Sequence, residues 1–403
     1  MPGRYPDSQC REGKASDSCL SGGMLVLRLL CHGVSQRWCH EAAPPAYESS
    51  ALGKEKGFDW KGKSRIGEVN KMLLKDLTQA FGVSGYEKEV RDMIKDAVQD
   101  YADEVMVDAL GNLIVYKKGS AKDKKKIMAA AHMDEIGLQV TKIEPSGLIK
   151  VKTLGFLWAD TTYMSRVRFR NGITGIVTST TKMEDVKGDF TKLCVDIGAR
   201  SKEEAMEYVK VGDVANYIGE YAELKGGNIT AKALDNRSGC YVMMKALMDM
   251  GTPANDVYLV FTVQEELGCR GAKVASQRIQ PDIGIAVDIT PAHDYPCDLE
   301  GSNALGAGAG IKVSDPSVIC DEYLISEMVK CCEENNIKYQ YDVIDKGGTD
   351  ASSINLSNYG VRASGITIVT RYPHGPNSMS NMEDIEASAK LLSMYVNRNF
   401  SFE

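Results

Sequence analysis

KIMAAAHMDEIG, residues 126–137, is the stretch whose reading decides the fold. Ile127–Ala131 is an unbroken apolar run of strand length, and it ends directly on His132, with Asp134 two positions on. Two later stretches repeat the design. Val257–Val263 runs into Glu265 and Glu266, and Gly284–Val287 ends on Asp288. Apolar strands that terminate in polar groups fit an open α/β sheet, in which ligands bind just beyond the carboxyl ends of the strands.

Working outward, the chain alternates. Apolar residues Val90, Met93, Ile94, Ala97, Val98 and Tyr101 follow helical spacing, and Leu113–Tyr116 reads as a strand. Helices are expected over about 241–250, 322–335 and 382–397, with a further strand at Ile366–Val369. This predicts a three-layer α/β/α domain, with helices on both faces of the sheet. Residues 138–230 differ in texture. Short β-rich runs (Leu138–Ile143, Leu148–Val151, Arg166–Phe169, Ile173–Thr178) are punctuated by Gly147, Gly155, Gly172 and Gly175. They predict a small all-β domain inserted between catalytic segments 72–137 and 231–403. Gly306–Gly310 is read as a flexible active-site loop, because no phosphate-loop lysine accompanies it.

Residues 1–71 stand apart. They hold four of the eleven cysteines and two of the three tryptophans, and carry net charge +3 against −10 for the rest. They show no sustained periodicity. Gly67–Met72 can be encoded by a purine-rich run just before an ATG, so Met72 is the expected start and 1–71 is expected to be disordered or a translated leader.

The bulk numbers exclude several classes. A net charge of −7 without a basic stripe argues against nucleic acid. No apolar run reaches the ~20 residues a membrane helix needs. The cysteines show no paired spacing, and Cys331-Cys332 are adjacent in a helical pattern. This suits a reduced cytoplasmic protein.

Histidine use then narrows the chemistry. Only His132, His293 and His374 lie beyond residue 71, and two of them sit beside carboxylates. Nitrogen and oxygen donors without thiolate suit Zn, Co or Mn, and paired ions need a bridging carboxylate. Asp134 is placed to orient His132 from behind. Of the adjacent Glu265 and Glu266, one can ligate while the other serves as general base. His293 reads as a surface-loop residue, and Cys240 and Cys269 as packing residues.

The segments AHMDEIG (131–137), KALDNRSG (232–239), VQEELGCRGA (263–272), AVDITPAHD (286–294), GGTDAS (347–352) and RYPHGP (371–376) together resemble the cocatalytic-zinc glutamyl and deblocking (TET-type) aminopeptidases. VDIGARSKEEA (195–205) is similar to that family's inserted domain. The resemblance covers 72–403. It implies two divalent metal ions, with Asp235 bridging, His132 and Asp288 on one, and Glu266 and His374 on the other. It implies Glu265 as general base and Asp134 as its catalytic support through His132. It also implies a cis Asp235–Asn236 bond, a PDZ-like insert making dimer contacts, dimers assembling to a dodecamer, and short peptides as substrates. The chain departs from the family after His374, where Gly375-Pro376 stands in place of Ser-Pro. N-acyl amino-acid deacylation is the runner-up, and an endoglucanase label attached to relatives is a further alternative.

Overall fold

The computed structural model describes residues 66–402 apart from Asp298 and Leu299. Most of the 1–71 segment therefore lies outside the described residues. The first helix spans Ile66–Gln79, so Met72 falls within it. Leu73, Leu74 and Leu77 on that helix are buried in the main core.

Four parallel strands form the centre of a mixed 12-stranded sheet, in the order Asp256–Thr262, Lys126–His132, Ile283–Pro291, Arg362–Arg371. Their composition explains their position. Ile127–His132, Val257 and Leu259–Thr262, and Ile283–Asp288 are all buried, as strands covered on both faces must be. One cover is the Leu234–Asp249 helix, whose residues Asn236–Met244 are buried all round, packed with Met382–Tyr395 and Ile66–Gln79. The other is made by Arg270–Ile279 and Asp350–Asn355 against Met128, Ala130 and Val260. This is the expected layered domain.

The inserted segment closes into a six-stranded antiparallel barrel over 137–217, shorter than the expected 138–230, because Ala222–Glu223 and Asn228–Ala231 pair into the main sheet instead. The order is Gly137–Ile143, Ile149–Leu154, Leu193–Asp196, Thr174–Ser179, Arg166–Phe169, Val214–Tyr217 and back to the first. Closure removes exposed strand edges, and alternate residues such as Leu138, Val140, Val167 and Phe169 fill the interior.

Some local readings need correction. The helix expected from Tyr241 starts at Leu234, with Asp235 and Asn236 at non-helical dihedrals inside it. Gly306–Gly310 is not a flexible loop. The Gly306 and Gly308 amides each donate to the Asp384 carboxylate at 2.7 Å, and Ala309-Gly310 begins the strand Ala309–Asp315. Among the described residues no helix is long and apolar enough to cross a membrane.

Candidate metal centre

The carboxyl ends of the four parallel strands converge on one volume. His132 is the last residue of its strand, Asp288 lies inside Ile283–Pro291, Glu265 and Glu266 follow Thr262, and His374 follows Arg371. Asp235 arrives from the covering helix. Gly239 allows that approach, since a β-carbon there would meet the Asn236 side-chain oxygen at 2.2 Å and the Val287 carbonyl at 2.5 Å. Asn236 Nδ2 donates to the same carbonyl at 2.8 Å, which fixes Asp235 beside the Asp288 strand. The Asp235–Asn236 bond is cis.

Asp235 stands between the two imidazoles. His132 Nε2 lies 3.1 Å from its Oδ1, and His374 Nε2 lies 3.2 Å from its Oδ2. The first group is completed by Asp288 Oδ1, 3.7 Å from His132 Nε2, and the second by Glu266 Oε2, 4.0 Å from His374 Nε2. Two donor triads, His132–Asp235–Asp288 and Asp235–Glu266–His374, thus share one carboxylate. Donors about 2.0–2.2 Å from a common tetrahedral ion lie about 3.2–3.6 Å from one another, close to these separations.

The imidazole tautomers agree with this. His132 Nδ1 donates to the Asp134 carbonyl at 3.0 Å, and His374 Nδ1 donates to the Phe156 carbonyl at 2.7 Å. A carbonyl only accepts, so Nδ1 carries a proton, and Nε2 is the nitrogen that faces the shared carboxylate and is left to a cation once its own proton is displaced.

Electrostatics point the same way. Burial pushes the Glu265 carboxyl well above the usual range, with Asp288, Asp350 and Glu266 adding and His132 opposing. Burial likewise raises Glu266 to about 7, opposed by His374, with Asp235 adding to the rise. Asp288 is raised by burial despite its bond to His132. Burial would also raise Asp235, yet the two imidazoles hold it below the carboxylate range. Burial works against protonating His374, but Glu266 and Asp235 carry it to about 10. His132 shows the same contest with Asp134, Asp235 and Asp288, and ends well above its ordinary value. Among the described residues, the ion-pair partners of these carboxylates are the two histidines alone. A buried anionic cluster of this kind fits divalent cations.

The model of the M42 glutamyl aminopeptidase family matches residues 111–391, more than half of the chain. The chain belongs to the M42 glutamyl aminopeptidase family. A model described as AMPT matches residues 69–93. The M42 chain is 34% identical to a lysyl aminopeptidase of Pyrococcus furiosus over 332 residues, covering 79% of this chain and 94% of the relative. Its fold is similar to the aminopeptidase APDkam598 of Desulfurococcus kamchatkensis, with TM-score 0.78, 37% identity, and 82% and 95% of the two chains covered. It is also similar to the TET1 peptidase of Pyrococcus horikoshii, which can assemble into a tetrahedron or a large octahedral shell, with TM-score 0.72, 31% identity, and 81% and 98% covered. It is an aminopeptidase, a hydrolase of peptide bonds.

Within this M42 aminopeptidase, all seven site residues named from sequence lie together. Asp134 does more than orient His132. Its Oδ1 accepts from the Glu265 amide at 2.9 Å and its Oδ2 from the Glu266 amide at 3.3 Å and from Ser84 Oγ at 2.6 Å. Burial would raise Asp134, but His132, Ser84 and the Glu265 amide hold it below the usual range. Cys269 is not a mere packing residue. Its thiol lies 3.2 Å from Glu265 Oε1, while Glu265 Oε2 faces His132 at 3.9 Å. Asp350 is buried beside that pair, with one oxygen accepting from Thr262 Oγ1 at 2.6 Å. Cys240 is buried and its thiol donates to the His132 carbonyl at 3.2 Å. His293 is half-buried rather than a free surface residue, and is tied to Asn303 through its backbone amide and Nδ1.

Sequence reasoning missed Ser84, Thr262 and the Phe156 carbonyl. Ser84 and Phe156 lie far from the motifs in sequence, and Thr262 is hidden inside the apolar strand Val257–Val263. One signal emerges only from the backbone. Ala233, Gln264, Cys269, Tyr372 and the ligand candidate His374 itself all have positive φ near +50°, the first four lying within three residues of a site residue. Non-glycine residues seldom adopt that conformation without a surrounding structure that enforces it.

Proposed function

We propose that this M42 aminopeptidase removes N-terminal residues from short peptides with two divalent cations, zinc foremost and cobalt or manganese as substitutes. His132, Asp235 and Asp288 would hold one, and Asp235, Glu266 and His374 the other. The observation that carries this reading is Asp235, whose two oxygens face two separate imidazoles at 3.1 and 3.2 Å. Bound there, the cations supply Lewis acidity toward the scissile carbonyl and toward water.

The chain's own groups supply the rest. Glu265 takes a proton from the attacking water at Oε2 and returns it to the leaving amine. Asp134 holds the Glu265 and Glu266 amides and so fixes the base relative to the donors. The barrel makes dimer contacts, and dimers build a dodecamer. The free thiols of Cys194, Cys240, Cys269, Cys320, Cys331 and Cys332 support a reducing, cytoplasmic setting.

Aminoacyl-nitroanilides and their N-acetylated counterparts, assayed side by side with and without chelator, test the reading. Hydrolysis of the free-amino series alone, abolished by chelator and restored by zinc, is expected. Release of acetate from the N-acetylated series, faster than release of nitroaniline from the free-amino series, would assign deacylation instead, and chelator-resistant activity would remove the metals from the mechanism.

A further inference from the structure

The inserted barrel reaches the candidate metal centre. Its loop after the Ile149–Leu154 strand runs Gly155-Phe156-Leu157-Trp158. Gly155 has φ +84° and sits against Glu266, where a β-carbon would come within 2.8 Å of Oε2. The next residue's carbonyl receives the His374 Nδ1 proton at 2.7 Å. The backbone of this loop is thereby anchored to both outer members of the second triad.

The side chains of the anchored loop are unusual for exposed positions. Phe156 is 61% exposed and Trp158 46% exposed. Their rings pack edge-to-face, with centroids 4.9 Å apart. Each ring centroid lies close to that of His374, at 6.4 Å from Phe156 and 6.1 Å from Trp158. Two large aromatic faces are left bare within one residue's span of the groups that would hold the scissile bond. Leu157 between them is buried in the barrel core, so the loop is held from behind and is not free to fold the rings away.

The segment carrying His374 adds aromatic surface and no spare cation. Tyr372 is 47% exposed and its ring packs against Tyr295 at 4.9 Å. Arg371 is engaged by both Asp294 oxygens, at 2.8 and 2.7 Å, so its charge is already matched.

We propose that Phe156 and Trp158 form a specificity wall, and that the enzyme prefers peptides with an apolar or aromatic side chain beside the scissile bond. This rests on the aminopeptidase reading above and adds the substrate class. The chemistry is burial of the substrate side chain against two preformed aromatic faces. Selectivity of this kind is modest per group, since a single methylene in an apolar pocket separates substrates by ~10–200-fold. Because the loop anchors through backbone atoms, changing either side chain leaves the His374 contact in place. Specificity and metal positioning are therefore separable by mutation.

The test uses the full chain with zinc supplied. Two dipeptide series, X-Ala and Ala-X with X as Phe, Leu, Ala, Glu or Lys, are compared for wild type, Phe156→Ala, Trp158→Ala and Trp158→Leu. Wild type is expected to favour Phe or Leu over Ala, Glu and Lys in at least one series. The Phe:Ala ratio of kcat/KM should fall about tenfold in the alanine variants, and less in Trp158→Leu, which keeps apolar area. Circular dichroism and light scattering accompany each variant. A wild-type preference for Glu or Lys, or a Phe:Ala ratio unmoved in folded variants, overturns the proposal. A change in particle size with the ratio unmoved overturns it too, and assigns the rings to contact with a second copy. Hydrolysis without preference overturns this inference alone, whereas no hydrolysis of any free-amino substrate overturns the aminopeptidase reading with it.

Discussion

Lys232 clasps Glu135 across the neck of the inserted barrel, with its ammonium 2.9 Å from both carboxylate oxygens. Glu135 lies just before the chain enters the barrel at Gly137, and Lys232 follows the main-sheet strand Asn228–Ala231, its amide donating at 3.1 Å to the carbonyl of Gly219, two residues beyond the last barrel strand. Both side chains are buried, and Arg237, Asn216 and the Gly82 amide complete the contacts of Glu135. The pair holds the two ends of the insertion together, with Glu135 one residue from Asp134 and Lys232 three from Asp235. The barrel can then project outward without pulling the two halves of the site apart.

Removing one partner should therefore be costly. Lys232→Met leaves a buried carboxylate short of a counter-charge, which costs about 3 kcal/mol, or on the order of 10 °C in Tm. The double variant Lys232→Met/Glu135→Leu should lose less than the sum of the singles. Burial pushes Lys232 down to about 8, with Glu135 opposing and Arg237 adding. Between that value and the unfolded ~10.4, the unfolded chain binds more protons at this position, so its contribution to stability rises with pH. Below that window both states are protonated and the contribution is flat. Urea denaturation should show a wider gap between wild type and Lys232→Met at about pH 9.5 than at about pH 7.5. A gap that narrows contradicts the assignment.

Gly155→Ala should weaken the second triad. Its β-carbon would meet Glu266 Oε2 and Ile136 Cγ2, each at 2.8 Å, at a backbone φ of +84° that alanine tolerates poorly. Displacing Glu266 should lower metal affinity about 10–100-fold at one of the two positions. Metal content after dialysis against limiting zinc reads this, with one ion lost per chain while the fold is retained. Unchanged metal content would show that Gly155 is not needed for the approach.

Much of this arrangement is legible in the sequence. His132, Glu265, Glu266 and Asp288 announce themselves because buried parallel strands are continuously apolar and a polar residue at their end stands out. The barrel is legible as a region but not in all its strands. Leu193–Asp196 and Val214–Tyr217 are buried along nearly their whole length and so carry no in-and-out alternation to read. The flexible reading of Gly306–Gly310 fails because a glycine-rich composition also suits backbone amides gathered around one carboxylate, here Asp384. The Phe156 carbonyl is invisible in principle. A backbone acceptor has no residue type, and this one meets its donor 218 positions away.

Chelation should act on stability as well as activity. Stripping cations leaves the largely enclosed Asp235, Glu265, Glu266 and Asp288 together, with two histidines as their ion-pair partners among the described residues. A ligand held at 100 times its Kd stabilises by ~2.7 kcal/mol, so Tm should fall on the order of 10 °C with chelator and recover with zinc. A melting curve indifferent to chelator and zinc would argue against cations at these triads.

Assembly should depend on the barrel. Met164, Ile176, Met206 and Val211 are exposed apolar residues on it, and a second copy would cover such surface. Replacing the barrel alone by a short Gly-Ser bridge from Ile136 to Ile218, which keeps the main-sheet strands Ala222–Glu223 and Asn228–Ala231, should give monomer in size-exclusion chromatography with light scattering where the full chain assembles. A full-length protein already monomeric at micromolar concentration contradicts this model.

The most direct test of the two-cation mechanism is Glu265→Gln, read by metal content and turnover on one sample. Glu265 is the carboxylate that faces His132 without belonging to either shared triad. The account predicts metal content retained, with turnover down by ~10²–10⁴-fold, the usual worth of a positioned general base. Near-normal turnover, or metal lost together with activity as expected for Asp235→Asn, would contradict it.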